Sequence, residues 1–142
     1  MSSELYPVIS PDRTRIAFMS DADGDYDIYV MNSDGSNIRR LTANAVTDRT
    51  PAWSPDGAWI VYSSDTRGDG GHDLYRVSAD GGEPEVLFSD GARNSNPRWS
   101  ADGGSILFAG GQPNDASTWE IKRLDVGSGD DGMTNNDVKD WE

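Results

Sequence analysis

The sequence predicts an all-β chain, made of three tandem units of four short antiparallel strands, on three observations. First, one stretch occurs three times: YPVISPDRTRIAFMS at 6–20, TPAWSPDGAWIVYSS at 50–64 and NPRWSADGGSILFA at 96–109, with Pro7, Pro51 and Pro97 spaced by 44 and 46 residues. Second, the apolar runs alternate with a period of two and are rich in β-branched and aromatic residues, and no segment keeps a helical period over three turns. Third, 16 Gly and 7 Pro in 142 residues supply turn chemistry between the runs. Four antiparallel strands repeating every 40–50 residues is the arithmetic of a β-propeller blade.

Each unit is read in order from its proline. A first strand carries Pro7, Pro51 or Pro97 and ends in a serine turn, Ser10, Ser54 or Ser100, with an acid two places on at Asp12, Asp56 or Asp102. In SPDG the proline presets φ at the second turn position and the glycine accepts positive φ. The second strand follows as Ile16-Ala17-Phe18, Ile60-Val61-Tyr62 and Ile106-Leu107-Phe108. After a polar hairpin, the third strand opens on an acid: Asp27-Ile28-Tyr29, Asp73-Leu74-Tyr75 and Glu120-Ile121-Lys122. A further turn (Asp34-Gly35, Asp80-Gly81-Gly82, Asp130-Asp131-Gly132) leads to a short last strand at Leu41-Thr42, Leu87-Phe88 and Met133-Thr134. The units therefore span about 6–44, 50–90 and 96–136, with a C-terminal connection at 137–142, in a single domain over 1–142. A lone blade cannot cover both faces of its sheet, so neighbours must stack on it. Trp53, Trp99 and, in the same phase, Ile9 are expected to fill the space between blades.

The pattern P-x-W-S-P-D-G, apolar strand, Ser, hairpin, D-[IL]-Y, D-G, L-T resembles the TolB-type propeller repeat, a WD-like blade that also occurs in the propeller domains of some prolyl-peptidase relatives. The resemblance covers nearly the whole chain. Unit two follows it most closely. Unit one has Ile9 for Trp and Arg13 for Gly, and unit three has Ala101 for Pro, Glu120 for Asp and Lys122 for Tyr. The resemblance implies a non-enzymatic scaffold that binds protein or peptide, in an envelope or secreted setting, although MSSELYPV has neither the basic segment nor the apolar core of a signal peptide. It also implies closure with six or seven blades. Three blades expose an apolar face at each end, so a homodimer closing a six-bladed ring is expected, with a higher oligomer or a piece of a longer propeller as the competing readings. The alternatives are a calcium-binding propeller domain and the gating or accessory propeller of a hydrolase.

Net charge is −13, and 20 of the 25 acids are Asp. Such a field repels phosphate backbones, which argues against nucleic-acid binding and favours a cation or a basic partner. No apolar run is long enough to insert into a membrane as a helix. The chain has no Cys, which excludes disulfides and thiolate chemistry.

Calcium is the candidate cofactor. SDADGDYD places Asp21, Asp23, Asp25 and Asp27 at alternate positions around Gly24, and calcium takes six to eight oxygens. The glycine falls too early for an EF-hand, and the competing reading is an acidic hairpin tip. The second unit repeats acids at Asp65, Asp69 and Asp73 but mixes in Arg67 and His72. His72, the only histidine, reads as an exposed loop residue. Ser54 lacks the G-x-S-x-G context of a hydrolase nucleophile, and no catalytic constellation stands out. Candidate binding residues lie in the connections between blades, at 43–50, 89–96 and 135–142: Asp48, Arg49, Arg93, Asn94, Asp140 and Trp141. Loops on a rigid scaffold commonly carry binding, and Trp141 is expected to bury itself against a surface.

Overall fold

The computed structural model describes residues 2–126. β1 (Glu4–Ile9), β2 (Arg15–Ser20), β3 (Asp27–Asn32) and β4 (Arg39–Arg40) form one antiparallel sheet in that order. β5 (Asp48–Trp53), β6 (Trp59–Ser64), β7 (Asp73–Ser78) and β8 (Glu85–Phe88) form the second, and β9 (Arg93–Trp99), β10 (Ser105–Gly111) and β11 (Glu120–Asp125) the third. Among the described residues the single helical segment is a 3-10 turn, Ala116–Thr118, in the long β10–β11 hairpin. The turn and strand expected at 130–134 lie outside the described residues, as do Asp140 and Trp141.

The serine turns are built alike three times. Ser10 Oγ donates to Asp12 at 2.6 Å and accepts from the Arg15 N–H at 2.9 Å, while Asp12 accepts from the Thr14 N–H at 3.0 Å. Ser54 with Asp56, and Ser100 with Asp102, repeat every bond. These bonds hold the turn carboxylates ionised: the serine hydroxyl first, then the backbone N–H, draws Asp12 down to about 2 and lowers Asp56 and Asp102. Gly57 and Gly103 sit in the left-handed region at φ 72° and 73°, and Arg13 holds the same conformation at φ 63°.

The sheets stack through two apolar clusters. Ala17, Met19, Ile28 and Val30 of the first sheet meet Trp53, Ile60, Tyr62 and Val77 of the second. Val61, Leu74 and Phe88 of the second meet Ile106, Phe108 and Leu124 of the third. Trp53 fills the first junction as expected: its indole N–H donates to the Val8 carbonyl at 3.0 Å, and the Arg15 guanidinium lies 5.0 Å from its ring. Trp99 packs against the second cluster in the same role. Ile9 departs from expectation and is 57% exposed, because its phase faces a preceding sheet and no described residue supplies one.

The first strands of successive sheets touch one another, so β1, β5 and β9 are the inner strands of the fan. Each carries the same irregularity, which sequence reading did not anticipate. Tyr6, Thr50 and Asn96, each just before the repeat proline, take φ of 52°, 53° and 54°. At each the pairing with the neighbouring strand slips register, making a bulge. A proline that lacks an N–H belongs at such a break.

Arg13→Gly is expected to raise stability by about 1 kcal/mol, because glycine takes a left-handed φ without the Cβ penalty. Ser54→Ala should lower it by about 1–3 kcal/mol, since it strands the Trp59 N–H and Asp56 together. Urea unfolding of the two variants beside the wild type checks both signs.

Candidate functional site

The four acids of the first hairpin find four different environments. Asp21 accepts from the Ser3 N–H at 2.6 Å. Asp23 accepts from the Tyr29 hydroxyl and from Arg40 Nη1, both at 2.8 Å. Asp27 is fully buried; one oxygen accepts from Thr42 Oγ1 at 3.1 Å and the other lies 2.6 Å from Arg40 Nη2. Asp25 keeps one buried oxygen without a partner. Arg40, reaching over from β4, thus bridges Asp23 and Asp27. Among the described residues no group of three or more His, Cys, Asp or Glu side chains is gathered as a metal ion requires. The expected calcium ligands Asp21, Asp23, Asp25 and Asp27 are therefore not brought together, because an internal arginine and local hydrogen bonds divide them.

The other units also answer their acids with one base. In the second, Arg67 Nε lies 3.8 Å from both Asp69 and Asp73. In the third, Lys122 Nζ lies 2.6 Å from Asp90 and 3.8 Å from Glu120. The arginine and lysine positions differ from unit to unit, so the repeat alignment hides the pairing. Burial pushes Asp27 up to about 6 against the pull of Arg40, and raises Tyr29 to about 12, reinforced by its bond to Asp23.

The residues expected in the inter-blade loops lie in the inner strands instead. Asp48 and Arg49 open β5, and Arg93 and Asn94 open β9. Asp48 is fully buried: its N–H donates to the Tyr26 carbonyl at 2.6 Å, and its carboxylate accepts from Ser64 Oγ and, at 2.9 Å, from Asn44 Nδ2. Burial raises its pKa. Asn94 holds the equivalent place in the next sheet. Its N–H donates to the His72 carbonyl at 3.0 Å, and its Nδ2 donates to that carbonyl and to Asp90, at 3.1 and 2.8 Å. These two residues tie one sheet to the next and present no free surface.

Arg49 and Arg93 are half-buried at the same end of neighbouring inner strands. The Arg49 guanidinium lies 6.0 Å from the Tyr26 ring. His72 is not an exposed loop residue: it is buried and forms a parallel β-bridge with Arg93. Burial first, then the charge of Arg93, lowers its pKa and favours the neutral ring. His72 shares its repeat phase with Tyr26, which is half-buried, and with Trp119, which is 37% exposed, so the repeat carries no signal of its burial.

The elevated Asp27 gives a pH test. Its protonated form is favoured by the fold, so the stability it contributes is fully present below pH about 4 and lost as pH rises through about 6. Asp27→Asn is expected to flatten that decline, with Arg40 still held by Asp23. Denaturant unfolding between pH 4 and 7 reads the difference in slope.

Comparison with known proteins places this geometry among relatives. The family model described as the TolB beta propeller domain matches residues 2–139. The Tol-Pal system protein TolB of Desulfosudis oleivorans is 46% identical over 55 residues, 39% of this chain and 13% of that protein. An uncharacterized peptidase, YuxL, of Bacillus subtilis is 41% identical over 56 residues, 39% of this chain and 8% of that protein. The structure of putative TolB from Agrobacterium tumefaciens superposes with a TM-score of 0.78 at 24% identity, covering 87% of this chain and 46% of that one, a likeness of fold. The chain thus spans less than half the length of each of these relatives.

Proposed function

The chain belongs to the TolB beta propeller domain family, and on that premise we propose that it is a non-enzymatic scaffold that binds protein or peptide at the inner ends of its first strands. The observation that carries this reading is the bulge at Tyr6, Thr50 and Asn96. A non-glycine residue held at positive φ in all three inner strands is costly backbone, kept in the same place three times. Bulges of this kind re-aim side chains where a sheet meets a ligand. Similarity to TolB proteins, one named for a Tol-Pal system, supports a protein partner. Similarity to a peptidase over 56 residues favours a second reading, an accessory propeller beside a hydrolase domain.

The same proposal includes assembly of chains. Phe18 stacks on Tyr29 at 5.7 Å on the outward face of the first sheet, beside Leu5, Met31 and Ile38. The equivalent face of the second sheet, Tyr62 stacked on Tyr75, is the one covered inside the chain. On the third sheet Leu107 and Ile121, 42% and 54% exposed, occupy the places that Ala17 and Ile28 use to cover it. The two open faces are thus unlike halves of one junction, which a second copy satisfies head to tail, and two copies close a ring.

Light scattering after size exclusion is expected to show two chains per particle, and Ile121→Asp to return it to one. A wild-type monomer would overturn the assembly. For binding, a peptide library panned on the wild type should yield ligands that are lost on Arg49→Gln with Arg93→Gln. Ligands that ignore both changes would move the site elsewhere.

A further inference from the structure

Most arginines of this chain are answered. Arg15, Arg40, Arg67, Arg76 and Arg123 pair with carboxylates, and Arg39 donates to the carbonyls of Ala79 and Asp80. Arg49 and Arg93 differ. Neither guanidinium has an ion pair or a hydrogen-bond acceptor among the described residues, and the Nε of each is shut off from water. They open adjacent inner strands at the same end. His72, 5% exposed, is joined to Arg93 by its β-bridge, and its Nδ1 is a third buried polar atom without a partner. Both arginines act on that ring electrostatically, and so do Arg67 and Asp65. Arg67 is occupied by Asp69, Asp73 and the Ala92 carbonyl.

A chain of net charge −13 has acids in excess, yet among the described residues none is supplied to these two cations. Leaving a buried donor unpaired costs stability. Buried polar atoms without partners call for an explanation, and a bound molecule supplies one. A compact oxyanion has the chemistry that would satisfy these donors. Arginine is suited to carboxylates, which it grips through two parallel N–H bonds. The surrounding negative field disfavours a polyanion such as nucleic acid, while a single carboxylate held between two guanidiniums is a short-range contact.

We infer that Arg49 and Arg93, with His72 beside them, form a binding site for a carboxylate carried by a peptide or protein. This rests on the scaffold reading and names the chemistry its ligand would bring. The carboxylate has two sources, an acidic side chain or a chain terminus. His72, neutral, would add a hydrogen bond from Nδ1 when the proton sits there, and Tyr26 under Arg49 would hold that side chain in place.

The test titrates the full chain with three capped or uncapped tripeptides, followed by the arginine Nε–H resonances in nitrogen-15 NMR. One is capped at both ends with a central glutamate, one has a central glutamine and a free C-terminal carboxylate, and one is capped with glutamine. The expected result is saturable movement of the Arg49 and Arg93 resonances with a carboxylate peptide and none with the neutral one. The stronger of the first two identifies the source. Arg49→Gln and Arg93→Gln should each weaken binding about tenfold or more, since a charge-assisted hydrogen bond is lost. Arg93→Met, which removes an unpaired buried donor, should leave the melting temperature unchanged or higher, and this separates loss of binding from loss of fold. Carboxylate peptides that move neither resonance, or bind equally to the variants, overturn the site. Library ligands that need the two arginines but contain no carboxylate would overturn this inference while leaving the scaffold standing.

Discussion

A sheet that is apolar on both faces must be covered on both, and this constraint organises the whole molecule. In the second sheet Ile60, Tyr62 and Val77 face one neighbour while Val61 and Leu74 face the other. No solvent face remains, so the unit has no stable existence alone. The period-two alternation therefore does not separate buried from exposed residues, as it would in a sheet with one wet side. It separates two interfaces. The large aromatic residues Phe18, Tyr62 and Phe108 go to the side of the preceding unit, and the smaller Ala17 and Val61 to the side of the following one, so that each junction joins a bulky face to a recessed one.

Apolar stacking alone would allow the sheets to slide. The polar ties prevent it. Asp48 and Asn94 reach back through their N–H groups to the Tyr26 and His72 carbonyls, one strand order earlier. Trp53 adds an indole bond to the Val8 carbonyl, and Arg15 donates to the Ala79 and Gly57 carbonyls across the same junction. Each bond joins a residue of one unit to the backbone of its neighbour, so register between sheets is set by hydrogen bonds as well as by shape. The cost of burying the Asp48 carboxylate is offset by two donors, Ser64 and Asn44, and the same place in the third sheet is taken by an uncharged Asn.

The architecture was legible in the sequence because each unit spells it in full. The SPDG turns, the alternating second strand and the acid at the head of the third strand are local devices, and three copies make them unmistakable. The ion pairs are less legible, because their bases sit at different places in each unit. The partner of Asp27 is Arg40, on the far side of a hairpin, that of Asp73 is Arg67, in the turn before it, and Lys122, two places after Glu120, reaches across to Asp90. Acids that look alike along the chain thus belong to different ion pairs, which is why a ligand cluster was expected where none is gathered. Asp48 and Asn94 lie in strands and not in loops for a related reason: the inner strand continues through the bulge before each proline, several residues beyond the run that announces it. The burial of His72 is hidden in the sequence, because its neighbours there are glycine and aspartate, whereas its neighbours in space are Arg93 and Asn94.

These pairings also bear on where function can reside. Many acids among the described residues are committed to turns or to internal bases: Asp12, Asp56 and Asp102 to serine turns, Asp23 and Asp27 to Arg40, Asp69 and Asp73 to Arg67, Asp90 to Lys122 and Asn94. The acidic composition is therefore in good part a record of turns and internal ion pairs, and beyond disfavouring polyanions it does not single out a site. The informative groups are those that the architecture leaves over. At the inner ends of β5 and β9 the backbone is strained in the same way in successive units while the side chains diverge, Leu5, Arg49 and Ser95 standing at one repeat position. A scaffold that holds its backbone constant and varies the residue it displays separates folding from recognition, and the differences between the units, more than their likeness, are where a ligand would be distinguished.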